Sequence, residues 1–358
     1  MPAGGGGRQL IMSILARAGV MRYLFYTCNR PVVINHWVAR QNKMLPPAAQ
    51  DNLGQVRKLA LVLLLTASSL TPEPPAASAQ ELEPGLYHSS PVGVNVAAAI
   101  YTYSIGNVLF DASLPVEGAD AETHTLGLSY VRTLGLFGRS GKLDLQVPLG
   151  TGTFEGYVGG VFHTREPEGL ADPRLRLAVN LIGAPALKRA EFASYRQGTI
   201  LGASLQIIAP LGQYDPARLI NLSTNRWSFR PELGLSRAQG RWFFEVAAGA
   251  WLFTDNDEYY GGTTLSQEPL LFVKGDAIRT FKRRSWIAVN YGIASGGESS
   301  IDGAPPKGLQ TNNRLGLTLA IPFGRSVFCK FTYTNGLSTS LGADFDSYGA
   351  GLQYSWGG

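Results

Sequence analysis

The chain has 358 residues, with 16% charged residues, 10% aromatics, 43 glycines and a mean hydropathy of +0.01. That hydropathy argues against a helical membrane bundle. It leaves room for a membrane barrel, because alternating lipid-facing and lumen-facing residues cancel in the average. The formal charge of +5 belongs to the first 79 residues. From Gln80 onward 23 basic residues stand against 24 acidic ones, so no nucleic-acid partner is implied.

The N-terminal part reads as export signal rather than fold. Arg57 and Lys58 precede the apolar run Leu59 to Leu65, and a Pro-rich stretch then ends in Ala77-Ser78-Ala79. A basic start, a short apolar segment and an A-x-A site make a cleavable signal peptide, expected to be cut after Ala79. The apolar run is too short to span a bilayer as a helix. Residues 1–55 are read as an over-extended N-terminus, 56–79 as the signal peptide, 80–91 as a periplasmic lead-in, and 92–358 as the folded part. Of the two cysteines, Cys28 and Cys329, only Cys329 would survive maturation, so no internal disulfide is expected.

Beyond Gln80 the hydrophobic period is two. Leu175, Leu177, Val179 and Leu181 alternate with Arg174, Arg176, Ala178 and Asn180. Leu143, Leu145 and Val147 alternate with Lys142, Asp144 and Gln146; Cys329, Phe331 and Tyr333 alternate with Lys330, Thr332 and Thr334. Twelve strands are predicted, at 92–104, 122–136, 142–154, 173–183, 199–209, 226–237, 241–253, 268–281, 285–295, 312–322, 327–336 and 345–356. Most are long enough to cross a membrane when tilted.

The links between them alternate. Long ones are expected near 105–121, 155–172, 210–225, 254–267, 296–311 and 337–344. Tight ones lie at 139–141, 238–240, 282–284 and 323–326, and 184–198 has room for a small periplasmic helix. Short turns at one end and long loops at the other are the pattern of an all-β, antiparallel, up-and-down transmembrane barrel in the outer membrane of a Gram-negative bacterium. Leu352, Tyr354 and Trp356 form the alternating, aromatic-ended last strand that the barrel-assembly machinery would read, although Gly357 and Gly358 follow. The rival fold is a secreted sandwich or propeller, which would have to pack its apolar faces on each other.

If the apolar faces meet lipid, the polar faces point into the barrel. Arg174, Arg176, Gln206, Arg230, Glu232, Glu245, Lys274, Asp276 and Asn290 are then candidates for the lumen and the permeation path. They could select solutes, or pair across a filled lumen and hold it shut. An outer-loop motif joins them: Tyr214, Asp215, Asn221, Asn225 and Arg226. The segment around it is expected to be ordered and to fold over or into the mouth, with Arg226 bonded to loop carbonyls or to Asp215.

Several strings resemble one family. They are Gly169-Leu-Ala-Asp172-Pro-Arg-Leu-Arg-Leu177, Pro210-Leu-Gly-Gln-Tyr-Asp-Pro216, Ile220 through Glu232, Asp302-Gly303, Thr311 through Gly316 and Gly342-Ala-Asp-Phe-Asp346. Together they resemble the exported "transporter" proteins grouped as putative MetA-pathway of phenol degradation, over about 90 to 358. The resemblance implies an outer-membrane barrel with a role in uptake of small, often aromatic, compounds.

Three functions therefore stand open. The leading one is a channel or transporter for small molecules, with the bilayer, the assembly machinery and a solute as its partners. The others are a structural or plugged barrel, and a membrane-embedded lipid hydrolase. No catalytic motif surrounds His124 or His163, and no paired His and Cys suggest a metal. No cofactor is expected. Asp255, Asn256, Asp257 and Glu258 could hold calcium or simply be solvated.

Overall fold

The computed structural model describes residues 82–109 and 116–358; the expected signal peptide and the over-extended N-terminus lie outside the described residues. In chain order the strands are β1 (Val94–Leu109), β2 (Val116–Leu136), β3 (Arg139–Val158), β4 (Val161–Arg165), β5 (Glu168–Leu170), β6 (Arg174–Ile182), β7 (Thr199–Ile208), β8 (Ser228–Gln239) and β9 (Trp242–Phe253). Then come β10 (Asn256–Tyr259), β11 (Thr263–Gln267), β12 (Leu270–Thr280), β13 (Trp286–Gly296), β14 (Ser299–Ile301), β15 (Gln310–Phe323), β16 (Val327–Ser338) and β17 (Gly342–Gly357).

Twelve of these strands form one closed antiparallel barrel. The ring runs β1-β2-β3-β6-β7-β8-β9-β12-β13-β15-β16-β17, and β17 returns to pair with β1 from Val94↔Gly357 to Leu109↔Gly342. Closure leaves no free sheet edge, which is what a strand structure needs in lipid. All twelve predicted strands are present. At the loop end β1, β2 and β3 run several residues further than expected, because those residues still alternate and still find partners.

The small strands belong to the loop end. β4 and β5 fold back on β3, while β10, β11 and β14 form a separate three-stranded sheet. The link between β16 and β17 is only three residues, a correction to the long loop expected at 337–344; both strands extend into it. At the turn end, the 184–198 link holds a single helical turn, Arg189–Phe192, as expected.

Alternation decides which face each side chain takes. On β8 the even-numbered residues from Ser228 to Ser236 are buried, and their neighbours Leu233 and Leu235 are exposed. The same holds around the ring. Leu128, Leu149, Leu177, Leu205, Val246, Val289 and Leu317 all stand 40% or more exposed on the outer wall. A continuous apolar belt of this kind would be untenable in water and is satisfied by lipid. Aromatics border it: Trp242 stacks on Phe244 at the turn end, and Trp356 on Tyr354.

Leu317→Arg in the middle of β15 is expected to cost about 2–4 kcal/mol of folding free energy near the bilayer midplane. Unfolding in urea from lipid vesicles measures it. A cost indistinguishable from zero would mean that this face does not meet lipid.

Candidate functional site

The lumen is built from the other face of the strands. All nine sequence-derived candidates lie there, brought together from β6, β7, β8, β9, β12 and β13. Arg176, Gln206, Arg230, Glu232, Glu245, Lys274, Asp276 and Asn290 are buried, and Arg174 is partly exposed. Glu232 accepts from Arg230 at 3.1 Å and stands 3.2 Å from Lys274. Asn290 donates to Asp276 at 2.6 Å. Arg176 bonds Asp144 at 2.7 Å. Arg176, Arg230, Lys274, Glu232 and Asp276 are thus each held by a polar partner, which is the condition for burying a charge.

Arg230 also lies over the Phe272 ring at 4.4 Å and the Trp251 ring at 5.2 Å. These rings, with Ile208, Leu270, Ala294 and Phe253, make an apolar cluster inside the loop half of the barrel. An Arg over a ring face is attracted by the ring's negative quadrupole, so the cluster and the charge support each other.

Residues 82–88, part of the stretch expected as a periplasmic lead-in, lie against lumen-facing side chains. Leu82 approaches the lumen-facing Gly316 and Gly292. Glu83 pairs with Arg176. Lys142 donates to the carbonyls of Gly85 at 3.1 Å and Leu86 at 2.8 Å. Tyr87 is wedged against Gly202 and Gly234, where any Cβ would overlap its ring, and its hydroxyl donates to Glu232 at 3.0 Å. His88 stacks on Phe243 with centroids 4.2 Å apart. Only then does the chain leave, with Val92 donating to Leu187 at 2.8 Å.

This segment forms a strap across the lumen. Burial would raise the Glu83 carboxyl, but Arg176, Lys330 and Lys274 outweigh it and hold it at about 2, so it stays an anion. Burial, helped by Lys142, pushes His88 down to about 4, so it stays neutral at physiological pH.

At the loop end, the link between β7 and β8 turns inward. Asp172 clamps its two ends, accepting from Gly212 at 3.0 Å and from the Thr224 backbone at 2.8 Å. Asn221 closes a small ring with Asp215, accepting from Asp215 N–H at 2.9 Å and donating to its carbonyl at 3.0 Å. Asn256 donates to Tyr214 at 3.0 Å and accepts from Asn225 at 3.0 Å. The Asn256 side chain is therefore spent on loop packing rather than pointed at a cation.

The tip of this loop, Ile220, packs on Ala121, Phe154 and Phe345. Those residues face the lumen from β2, β3 and β17; β3 is separated from β7 by β6 alone, while β17 stands across the ring from β8. The loop thus spans the mouth. Arg226 does not take the partners expected of it: its guanidinium bonds Gln267 and lies 4.4 Å from the centroid of Phe253, because the loop root carries it over β9 and away from Asp215. Burial lowers it to about 10, which leaves it charged.

Sequence reasoning missed Glu83 and Tyr87 altogether. They precede the first strand, so no alternation marks them. Lys142, Asp144 and Lys330 were visible on polar faces and belong to the same lumen.

Residues 104–350 match the family described as "Putative MetA-pathway of phenol degradation". The chain belongs to this family. The strings that suggested it hold the loop end together: Asp172 clamps the mouth loop, Asp302 accepts from Thr264 N–H at 2.8 Å, and Asn312 donates to the Leu341 carbonyl at 2.9 Å. Among solved structures, an outer membrane channel from Pseudomonas putida F1 is similar at 19% identity, with a TM-score of 0.66 over 77% of this chain and 100% of that one. The transport unit of the autotransporter AIDA-I from Escherichia coli is a looser likeness, with 8% identity, TM-score 0.43, and 78% and 95% covered. The first supports the barrel fold. No curated protein matches.

Proposed function

We propose that this protein is an outer-membrane channel that admits small solutes through a lumen narrowed at both ends. The short turns and the strap then lie on the periplasmic side, and the loops outside. The observation that carries the reading is the mouth loop, anchored at Asp172 and reaching the far wall through Ile220. A barrel that served only as a structural element would have no need of a polar lumen bounded by an ordered constriction. Ordered long loops in compact domains are usually functional. The outer-membrane channel from Pseudomonas putida F1 shares the barrel and supports the same reading. The family description, which names a pathway of phenol degradation, favours aromatic compounds as the solutes.

The charged network argues for a filled lumen on one side, and a plugged barrel is the reading to beat. Conductance in planar bilayers separates the two. The full protein is expected to conduct, and deleting 214–222 should raise conductance while the barrel keeps its heat-modifiable mobility on gels. A silent protein that also fails to pass aromatic solutes into liposomes would defeat the channel reading. Leu352, Tyr354 and Trp356 lie on the lipid face of the closing strand, where an assembly signal would be accessible.

A further inference from the structure

The two sides of the lumen are unlike. On β7, β8, β12 and β13, every lumen-facing residue from Ile200 to Ile208, Ser228 to Ser236, Leu270 to Ile278 and Ala288 to Ala294 is buried. Four carboxylates are packed away here, on β9 between β8 and β12, and on β3 beyond β6: Asp144, Glu232, Glu245 and Asp276. Across the ring, β16, β17, β1 and β2 present a different lumen face. Lys330, Thr332, Gln353, Ile100, Thr102 and Ser129 all remain partly exposed to water.

That second wall is built from small and hydroxyl-bearing residues. Gly349 lies against Thr332 and Thr102, and Ser347 donates to Ser104 at 2.7 Å. Gly351 stands opposite Lys330 in the register, and Ile100 opposite Gly351. Gly127, on β2, opens onto space: a Cβ there would meet nothing closer than the Ile100 carbonyl at 3.7 Å.

Away from the loop end, where the Asp344 carboxylate lies against Gly336 and near Arg314, Lys330 is the one ionisable side chain on the lumen face of β16, β17 and β1 and of β2 between Ala121 and Thr133. Its ammonium makes no hydrogen bond or ion pair among the described residues; Glu83 acts on it through space and is already paired with Arg176. Lys142, the next cation, is spent on the carbonyls of Gly85 and Leu86.

We infer that solutes pass off-centre, along the lumen face of β16, β17, β1 and β2, and that Lys330 makes this path select small anions such as carboxylates. The inference rests on the channel reading and adds the route and the charge of the solute. A single fixed cation beside a narrow path raises the local concentration of anions and repels cations, and salt weakens the effect.

The test is the reversal potential of the full protein in planar bilayers under a KCl gradient at low salt. The expected result is chloride preferred over potassium by roughly threefold or more, the size of one weakly screened charge at close range. Lys330→Gln should abolish the preference and Lys330→Glu should reverse it. Gly127→Trp should cut conductance without changing the sign of selectivity. Phe331→Leu, a neighbour on the lipid face, should change neither, and heat-modifiable mobility checks that every variant is folded.

A conducting protein that prefers cations, or one whose reversal potential ignores Lys330→Glu, overturns this inference and leaves the channel reading standing. Unchanged conductance in a folded Gly127→Trp variant overturns the route. A silent wild-type protein overturns both.

Discussion

Gly234→Val is expected to unseat the strap and widen the pore. Gly234 faces the lumen from β8, and with Gly202 it forms the slot that takes the Tyr87 ring; a Cβ at either position would fall inside that ring. Neither glycine has a positive φ, so the strand itself tolerates a side chain, and valine suits strands. The nearest atoms a side chain at Gly234 would meet all belong to Tyr87. Once displaced, Tyr87 loses its bond to Glu232, and the remaining ties include Glu83 to Arg176, Lys142 to two carbonyls, the His88–Phe243 stack and Ser89 N–H to Gln197. A twelve-stranded barrel is intermediate between those filled by their own side chains and the open porins, so releasing a segment from its lumen should raise single-channel conductance by about twofold or more. Tyr87→Ala should act in the same direction, with the slot left empty. Conductance unchanged in both variants, with normal heat-modifiable mobility, would mean that the strap does not lie in the path of the ions.

Glu232→Leu should be among the most damaging single changes in the lumen. Its carboxylate serves Arg230, Lys274 and the Tyr87 hydroxyl at once, and all three side chains are buried. Taking away one member of a buried ionic network strands the others in a medium that solvates them poorly, at a cost of about 3–5 kcal/mol. Urea unfolding from lipid vesicles reads that loss directly. The double change Glu232→Leu with Lys274→Met should recover a good part of it, since fewer charges then stay buried without their partner. A single-variant loss below about 1 kcal/mol, within the range of an exposed pair, would show that water reaches this side of the lumen and that the packed wall is open.

The barrel was legible in the residues because lipid and water impose opposite demands on alternate positions. Leu175 and Leu177 against Arg174 and Arg176 state both the strand and its two faces, and the same alternation puts the nine lumen candidates on the polar face, eight of them buried. The link at Gly240, with its positive φ, was legible, whereas the one expected at 139–141 falls at Phe137 and Gly138, both with positive φ, because Arg139 to Gly141 still pair with β2. The largest departure is at the loop end. There β16 and β17 continue past the membrane and shorten their link, because strand pairing does not stop at the edge of the bilayer.

What the residues by themselves determined is a membrane barrel of twelve strands, its lipid and lumen faces, and the family. Period two is a local property, and the cost of a charge in lipid enforces it strand by strand. What only the tertiary structure decided is what fills the lumen. Tyr87 finds Gly202 and Gly234 more than a hundred residues away, Ile220 reaches Phe345 across the ring, and Arg226 takes Gln267 rather than Asp215. Such contacts depend on closure, which brings together faces that no periodicity along the chain relates to one another.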